Sequence, residues 1–162
     1  MRTAGTRPVV SSSSIAVGRA ATEDVAAIAQ FNIAMAAETE DLALDPQTVH
    51  AGVAAVVSDD RRGFYLVARS DGKAVGSLMI TYEWSDWRNG NLWWIQSVYV
   101  VPSARKQGIF RLLYDNVISL AKQSGDTAGV RLYVEKDNRG AQEVYRKLGM
   151  SETAYRVFEI IF

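Results

Sequence analysis

The segment Trp94–Tyr114, WIQSVYVVPSARKQGIFRLLY, contains a boundary between two kinds of secondary structure. Residues up to Val101 are rich in β-branched and aromatic side chains, which predicts a strand. From Gly108 onward, apolar residues recur at helical spacing, namely Ile109, Leu112, Leu113, Val117 and Leu120. Pro102 cannot continue the hydrogen-bond ladder of a strand. The sequence therefore predicts a strand, a loop and the start of a helix.

The loop PSARKQG places two cations and a glycine beside the start of that helix. The first turn of a helix offers unpaired backbone amides and positive potential, and Arg105 and Lys106 add charge to it. Gly108 would let a ligand approach the backbone, although a glycine is also common there for steric reasons alone. The motif is neither a Walker loop nor the three-glycine dinucleotide fingerprint. These residues leave an anion site and a purely structural turn both open.

The segment resembles the signature of the GNAT superfamily of acyl-CoA N-acyltransferases, which reads Arg or Gln, two residues, Gly, one residue, then Gly or Ala. Arg105 and Gly108 match this pattern, and Phe110 stands at its last small position. A predicted strand at 130–134 and the segment DNRGAQEVYRKLGM follow, and that segment is similar to the last helix of the superfamily. The resemblance extends roughly over residues 15–158.

The resemblance implies an α/β fold with a mixed, mostly antiparallel sheet of six or seven strands and helices on both faces. Strict alternation in the central strand places Trp94, Gln96, Val98 and Val100 on one face and Ile95, Ser97, Tyr99 and Val101 on the other. Apolar residues on both faces predict helices on both sides. The other predicted elements are a strand at 15–17, helices from Thr22, from Pro46 to Val57 and from Asn138, strands at 64–68 and 74–82, and a strand after Gly149.

The composition limits the classes of protein to consider. With 162 residues, 48% of them hydrophobic, the chain predicts one domain over 14–162 after a mobile tail at 1–13. Eighteen basic and eighteen acidic residues indicate no general affinity for nucleic acid, and no apolar run is long enough for a membrane span. The absence of Cys and the single His50 argue against a metal site and are compatible with the cytoplasm.

The resemblance implies acetyl-CoA as cosubstrate. By analogy with the superfamily, the backbone of Val98 and Val100 would hold the pantetheine arm, and the amide of Val98 would polarise the thioester carbonyl. The remaining cofactor-binding residues implied are Arg105, Lys106, Gln107, Gly108, Ile109, Phe110, Arg111, Asn138 and Ala141.

Tyr145 is the predicted general acid. On an apolar helix stripe an aromatic ring is more often packing than catalysis. The resemblance favours catalysis, because a Tyr at this place in the motif protonates the departing CoA thiolate in many superfamily members. The implied reaction is direct attack of a primary amine on the acetyl thioester, without a covalent enzyme intermediate.

The acceptor site is less defined. Glu38, Glu40 and Asp41 oppose the macrodipole at the end of the first helix, so they are either solvated or line a site for a cation. The likeness is nearest to polyamine and diamine acetyltransferases, which carry a Glu where this chain has Gln96. Gln can hold a water but cannot accept its proton near neutral pH. Glu83, Glu38 and Glu40 are the remaining candidate carboxylates, and the base stays open.

The resemblance implies an enzyme that acetylates the amine of a small molecule. A CoA-binding or regulatory domain without turnover, and an acetyltransferase for protein amines, are the alternatives. The five aromatic rings around the second hairpin are core packing, a wall of the acceptor pocket or a homodimer contact, and they belong to Tyr82, Trp84, Trp87, Trp93 and Trp94.

Overall fold

The computed structural model describes residues 14–162, and the tail predicted at 1–13 lies outside the described residues. Internal contacts group the chain into two compact units, one extending to Leu132 and the other comprising Tyr133–Phe162. The single domain predicted from the sequence stays a prediction.

The described part of the first unit contains five strands and three α-helices. The strands are β1 (Ile15–Arg19), β2 (Phe64–Ser70), β3 (Lys73–Ser85), β4 (Gly90–Val100) and β5 (Thr127–Leu132). The helices are α1 (Val25–Glu40), α2 (Pro46–Val57) and α3 (Ile109–Gln123), with short 3₁₀ turns at Thr22–Asp24 and Pro102–Ala104.

The strands form one sheet in the order β1-β2-β3-β4-β5. The first four are antiparallel neighbours, and β5 pairs parallel to β4. The mixed, mostly antiparallel α/β class predicted from the sequence is therefore confirmed. The predicted count of six or seven strands is wrong for the described residues, which form five.

The turns and packing follow from the sequence. Asp71 and Gly72 both have positive φ (50° and 79°), as the tight turn between β2 and β3 requires. The packing of the helices on the sheet follows from their apolar faces. One face of the sheet packs on α1 and α2 around Ile28, Val53 and Val67. Helix α3 also packs on the sheet and buries Ile109, Leu113 and Val117. Leu112, predicted on that apolar stripe, is 39% exposed instead.

The start of the first helical segment differs from the prediction. The helix predicted from Thr22 begins at Val25 instead, and Thr22 lies in the preceding 3₁₀ turn, whose N-cap is Ala21. The carboxylate of Asp24 accepts a hydrogen bond from the Ala21 amide at 2.8 Å. Arg69 of β2 donates to the same carboxylate at 2.6 Å, so Asp24 is held by β2 as well as by the turn.

Strict alternation fails in β4 at Ser97, which has a positive φ of 50°. The register with β3 shifts there, from Met79↔Gln96 to Ser77↔Tyr99. This bulge adds one residue to β4 and reverses the side on which the following side chains lie. Tyr99 consequently lies beside Phe31 of α1, with ring centroids 5.5 Å apart, rather than on the face predicted for it.

The second unit contains α4 (Arg139–Lys147), which starts directly after Asn138, the residue predicted to begin it. Gly149 has φ 86° just after the helix, where the sequence placed the helix end. No strand is assigned to 151–162, so the predicted final strand is not found among the described residues.

None of the helices that the structure describes combines the length and apolar character needed to cross a membrane.

Candidate active site

The outer edge of β4 is open over its last residues. Strand β5 pairs with β4 only as far as Ile95↔Leu132, whereas β4 remains paired with β3 up to Val100↔Gly76. Within the described residues, the backbone of 96–100 therefore has a strand partner on one side only. An edge of this kind can hydrogen-bond an extended ligand chain. Val98 lies in the middle of this open edge.

The loop after β4 folds tightly before α3 begins. The amides of Ala104 and Arg105 donate to the carbonyls of Val101 and Pro102, at 2.9 and 3.3 Å. These two amides are thus used within the loop itself. Lys106 follows with a φ of 63°, which is unusual for a residue with a side chain and turns the backbone sharply.

Gly108 is the N-cap of α3, with a φ of 78°. A Cβ built on it would meet nothing within 4 Å, so its backbone conformation, rather than crowding, explains the glycine. Among the residues that the structure describes, no side chain caps α3, so the amides of its first turn are available to a ligand. The buried Ile109 fixes this end of the helix in the core, and the Phe110 ring lies 6.2 Å from that of Tyr114.

The other polar residues predicted at this loop have local partners. Gln107 donates from Nε2 to the carbonyl of Ser103 at 3.1 Å. Arg111 forms an ion pair with Asp115, one turn further along α3, at 2.9 Å.

The side chain of Arg105 turns back onto β4. Its Nε donates to the carbonyl oxygen of Val100 at 2.9 Å, and its NH2 group donates to Glu38 Oε2 at 2.6 Å. The guanidinium carbon also lies 5.4 Å from the centre of the Tyr99 ring. Arg105, a predicted cofactor-binding residue, is therefore bound to Glu38, which the sequence placed at the acceptor site.

Glu38 has a second partner in Tyr99, whose hydroxyl donates to Oε1 at 2.7 Å. The hydrogen bonds from Tyr99 and Arg105 hold the pKa of the Glu38 carboxyl below its usual 4.5. Burial, and then the bond to the carboxylate, raise the pKa of Tyr99 above 10.0. Glu38 is therefore a charge-compensated carboxylate. Glu40, two residues further along, forms no ion pair with any described residue.

Glu83 is also bound by other side chains. It accepts a hydrogen bond from Trp94 Nε1 at 2.6 Å, and Arg131 donates to its two oxygens at 3.1 and 3.2 Å. These three residues lie on β3, β4 and β5, and the guanidinium carbon of Arg131 is 5.7 Å from the centre of a Trp94 ring. Glu83 therefore links three adjacent strands.

Gln96 donates from Nε2 to Thr81 Oγ1 at 2.5 Å, across the β3–β4 pair. The bond fixes the amide of Gln96 just before the bulge. An amide in this position can orient a donor but cannot take its proton.

In the second unit, Asn138 Oδ1 accepts the Ala141 amide at 3.1 Å and so caps α4. Two residues predicted for the cofactor are thus joined in the cap. Tyr145 is half-buried on α4, and burial raises the pKa of its phenol above 10.0. The phenol therefore stays protonated at neutral pH, which is the form that a general acid requires.

Sequence reasoning missed Tyr99 and Arg131 as partners of the candidate carboxylates. Alternation placed Tyr99 on the opposite face, because the bulge at Ser97 was not foreseen. The sequence signal that was available for the bulge is the polar pair Gln96 and Ser97 inside an otherwise apolar strand. No sequence signal was available for Arg131, because its pairing with Glu83 depends on how the strands are ordered in the sheet.

Comparisons with known proteins agree with this geometry. The acetyltransferase (GNAT) family profile matches residues 29–150. A possible acetyltransferase from Clostridium difficile 630 has 42% sequence identity and a TM-score of 0.86, over 91% of this chain and 97% of that one. An aminoglycoside N-acetyltransferase in complex with CoA has a TM-score of 0.76 at 16% identity, over 95% of this chain and 99% of its own. The latter shows a shared fold.

A curated relative, an uncharacterized N-acetyltransferase of Methanocaldococcus jannaschii, is 34% identical over 94 residues. The match covers 57% of this chain and only 41% of that relative. The strand, loop and helix arrangement and the sheet thus define an acyl-CoA N-acyltransferase fold. The chain belongs to the GNAT acetyltransferase family, as its sequence predicted, and the predicted class, an acetyl-CoA-dependent N-acetyltransferase, is confirmed at the level of the family.

Proposed function

We propose that this chain transfers the acetyl group of acetyl-CoA to the primary amine of a small molecule, by direct attack of the amine on the thioester. The observation that carries the proposal is the open edge of β4 at 96–100, followed by a loop and an uncapped helix start. An extended pantetheine arm fits the first feature, and a pyrophosphate fits the second. Both features occur within one continuous segment of the chain.

The cofactor would be held mainly by the backbone. Val98 and Val100 supply groups of the open strand edge, with the Val98 amide proposed to polarise the thioester carbonyl. Amides from Lys106 to Arg111 would bind the pyrophosphate, with the Lys106 and Arg111 side chains adding positive charge. Asn138 and Ala141 are proposed to contact the cofactor as well. Acetyl-CoA supplies the activated acetyl group, and no metal is needed for the transfer.

Tyr145 is proposed to protonate the CoA thiolate as it leaves. Transfer from a phenol of ordinary pKa, about 10, to a thiolate of about 8.5 is uphill by roughly 2 kcal/mol, and the burial that raises the pKa of Tyr145 adds to this cost. A positive helix end or a nearby cation can offset a cost of this size. The motif position and the protonated, half-buried phenol support this role.

The acceptor amine must lose a proton before it attacks. An amine with a pKa of about 10.4 is free at pH 7 in only about one part in a few thousand, a cost of roughly 4 to 5 kcal/mol. Gln96 is proposed to orient the amine or a water, and Glu40 to attract the positive charge of the protonated amine. Glu38 and Glu83 are weaker candidates, since other side chains of this protein already bind their carboxylates. A weakly basic acceptor removes the difficulty.

A panel of acceptors tests the proposal. Thiol release from acetyl-CoA is measured with diamines, polyamines, amino sugars and weakly basic amines, and with peptides bearing free amines. We expect turnover with a free small amine above the rate without acceptor. CoA binding without turnover on any acceptor would favour a CoA-binding or regulatory domain, and selective turnover of peptides would favour a protein acetyltransferase.

We also propose a homodimer located in the cytoplasm. The lack of Cys fits a reducing compartment. Trp84 and Trp87, at the β3–β4 hairpin, are 59% and 86% exposed and offer an apolar surface for a second copy. Light scattering after size exclusion tests the dimer, and a monomer at micromolar concentration contradicts it.

A further inference from the structure

The end of α1 and the loop before α3 are joined by a chain of contacts through one carboxylate. Glu38 lies in the last turn of α1, and its two oxygens accept different donors, Tyr99 from β4 and Arg105 from the loop. Arg105 in turn donates to the carbonyl of Val100 at the end of β4. Glu38 thus joins α1 to two consecutive segments, β4 and the loop after it, through residues that lie 61 and 67 positions further along the chain.

The position of this carboxylate is unfavourable without its partners. A negative charge in the last turn of a helix opposes the helix dipole, and Glu40 and Asp41 add further negative charge nearby. The guanidinium of Arg105 compensates it at 2.6 Å, and the hydroxyl of Tyr99, a residue only 7% exposed, fixes its orientation. Surface acids that are merely solvated do not have partners of both kinds.

The contacts also explain what the Arg105 side chain does. It points back to Val100 and Glu38, so it anchors the first part of the loop and leaves the following backbone to carry any anion. Lys106 then adopts a φ of 63°, which is unfavourable for a residue with a side chain and persists where surrounding contacts hold it. Cofactor affinity should therefore depend on the contacts that anchor Arg105.

We infer that Glu38 is a positioning residue for the cofactor: by holding Arg105 it fixes the loop 102–108 that is proposed to bind the pyrophosphate of CoA. The inference rests on the proposed function for the identity of the ligand. The sequence named Glu38, at the end of α1, as a candidate for the acceptor site. This inference assigns it to cofactor binding instead. Tyr99 supports the same role by orienting the carboxylate.

Calorimetric titration of the full chain with CoA tests this inference. Glu38→Gln keeps an acceptor for Tyr99 and removes the charge that binds Arg105. We expect its dissociation constant for CoA to rise about three- to tenfold, the scale of a partly exposed ion pair with a favourable hydrogen bond. The KM for acetyl-CoA should rise in parallel, with kcat and the KM for the amine within about twofold of their original values. Glu23→Gln, which removes the same charge from the exposed start of the first helical segment, should change none of them.

Arg105→Met tests the Glu38–Arg105 ion pair from its other partner. It should weaken CoA binding to a similar degree, and Glu38→Gln should have no further effect in the Arg105→Met protein. The inference is overturned if Glu38→Gln and Arg105→Met leave CoA affinity unchanged, or if Glu38→Gln raises the KM for the amine alone. Failure of the unaltered protein to bind CoA would instead overturn the proposed function, and the inference with it.

Discussion

Glu83 on β3 accepts a hydrogen bond of 2.6 Å from the indole nitrogen of Trp94 on β4, across the antiparallel pair. The same carboxylate is bound by Arg131 of β5. A carboxylate with two such partners is better suited to linking strands than to accepting a proton from an amine.

We therefore expect Glu83→Gln to act on stability more than on catalysis. The free energy of unfolding should fall by about 1 kcal/mol, a value limited by partial exposure of the cluster, and kcat by less than about tenfold. Trp94→Phe, which removes only the indole donor and part of the ring, should give a comparable loss of stability. Denaturant unfolding and steady-state rates measure both. A fall in kcat of about 10² or more in a folded Glu83→Gln protein would identify Glu83 as the base.

Gly108 should matter more for cofactor binding than Arg105 does. Its φ of 78° is strained for any residue with a Cβ, so Gly108→Val should displace the first turn of α3 and weaken CoA binding by about tenfold or more. Arg105→Ala should weaken it less, because the backbone supplies most of the contacts.

Gly125 provides a matched control for this substitution. It also has a φ of 78°, a Cβ added to it would likewise meet nothing within 4 Å, and it lies beyond the opposite end of α3. Gly125→Val should therefore cost similar stability and leave CoA affinity unchanged. Calorimetry that finds equal CoA affinity for folded Gly108→Val and the unaltered protein would refute the backbone site.

Glu40 is expected to contact a cationic acceptor, since the structure gives Glu38 its own partners. Glu40→Gln should raise the KM for the best cationic amine by about threefold or more and leave the KM for acetyl-CoA unchanged. The effect should decrease at high salt, which screens exposed charges. Unaltered KM values for every cationic amine would place Glu40 among the solvated surface acids.

Tyr145 is expected to act through its hydroxyl. Tyr145→Phe keeps the ring and its packing, so the free energy of unfolding should change by no more than about 1 kcal/mol. Turnover should fall by about 10² to 10⁴, with little change in CoA affinity. Near-normal turnover of this variant would mean that another group or solvent protonates the thiolate.

The pH profile gives an independent check on Tyr145. Burial raises the pKa of the phenol, so the protonated, active form persists to higher pH than for an exposed tyrosine. Activity that depends on this proton is therefore complete below the ordinary value of about 10 and is lost as pH rises through the higher pKa of the folded protein. A Tyr-dependent alkaline limb near pH 8 would contradict the assignment.

The sequence was most informative where local chemistry decides the structure. Pro102 ended the strand, Gly108 preceded the helix, and Asp45 with Pro46 started α2, with the Asp45 side chain accepting from the Thr48 amide at 2.8 Å. Each of these effects arises from the conformational or hydrogen-bonding properties of one or two residues. The family resemblance then supplied the class of fold and activity.

The sequence was least informative where tertiary pairing decides the structure. One extra residue at Ser97 changed the face on which Tyr99 lies, and no periodicity argument reveals a bulge of this kind in advance. The partners of Glu38 and Glu83 lie 61 and 48 residues away, in Tyr99 and Arg131. A carboxylate that seems available in the sequence can thus be compensated in the folded protein.

The most direct test of the central claim is a two-substrate initial-rate study of the unaltered protein with acetyl-CoA and the best amine of the panel, with product analysis by mass spectrometry. Direct transfer predicts one N-acetylated amine for each CoA released, and reciprocal plots that intersect, because the amine attacks acetyl-CoA while both are bound. Parallel plots with an acetylated enzyme would contradict direct transfer, and CoA release without acetylated amine would contradict the proposed acetyl transfer itself.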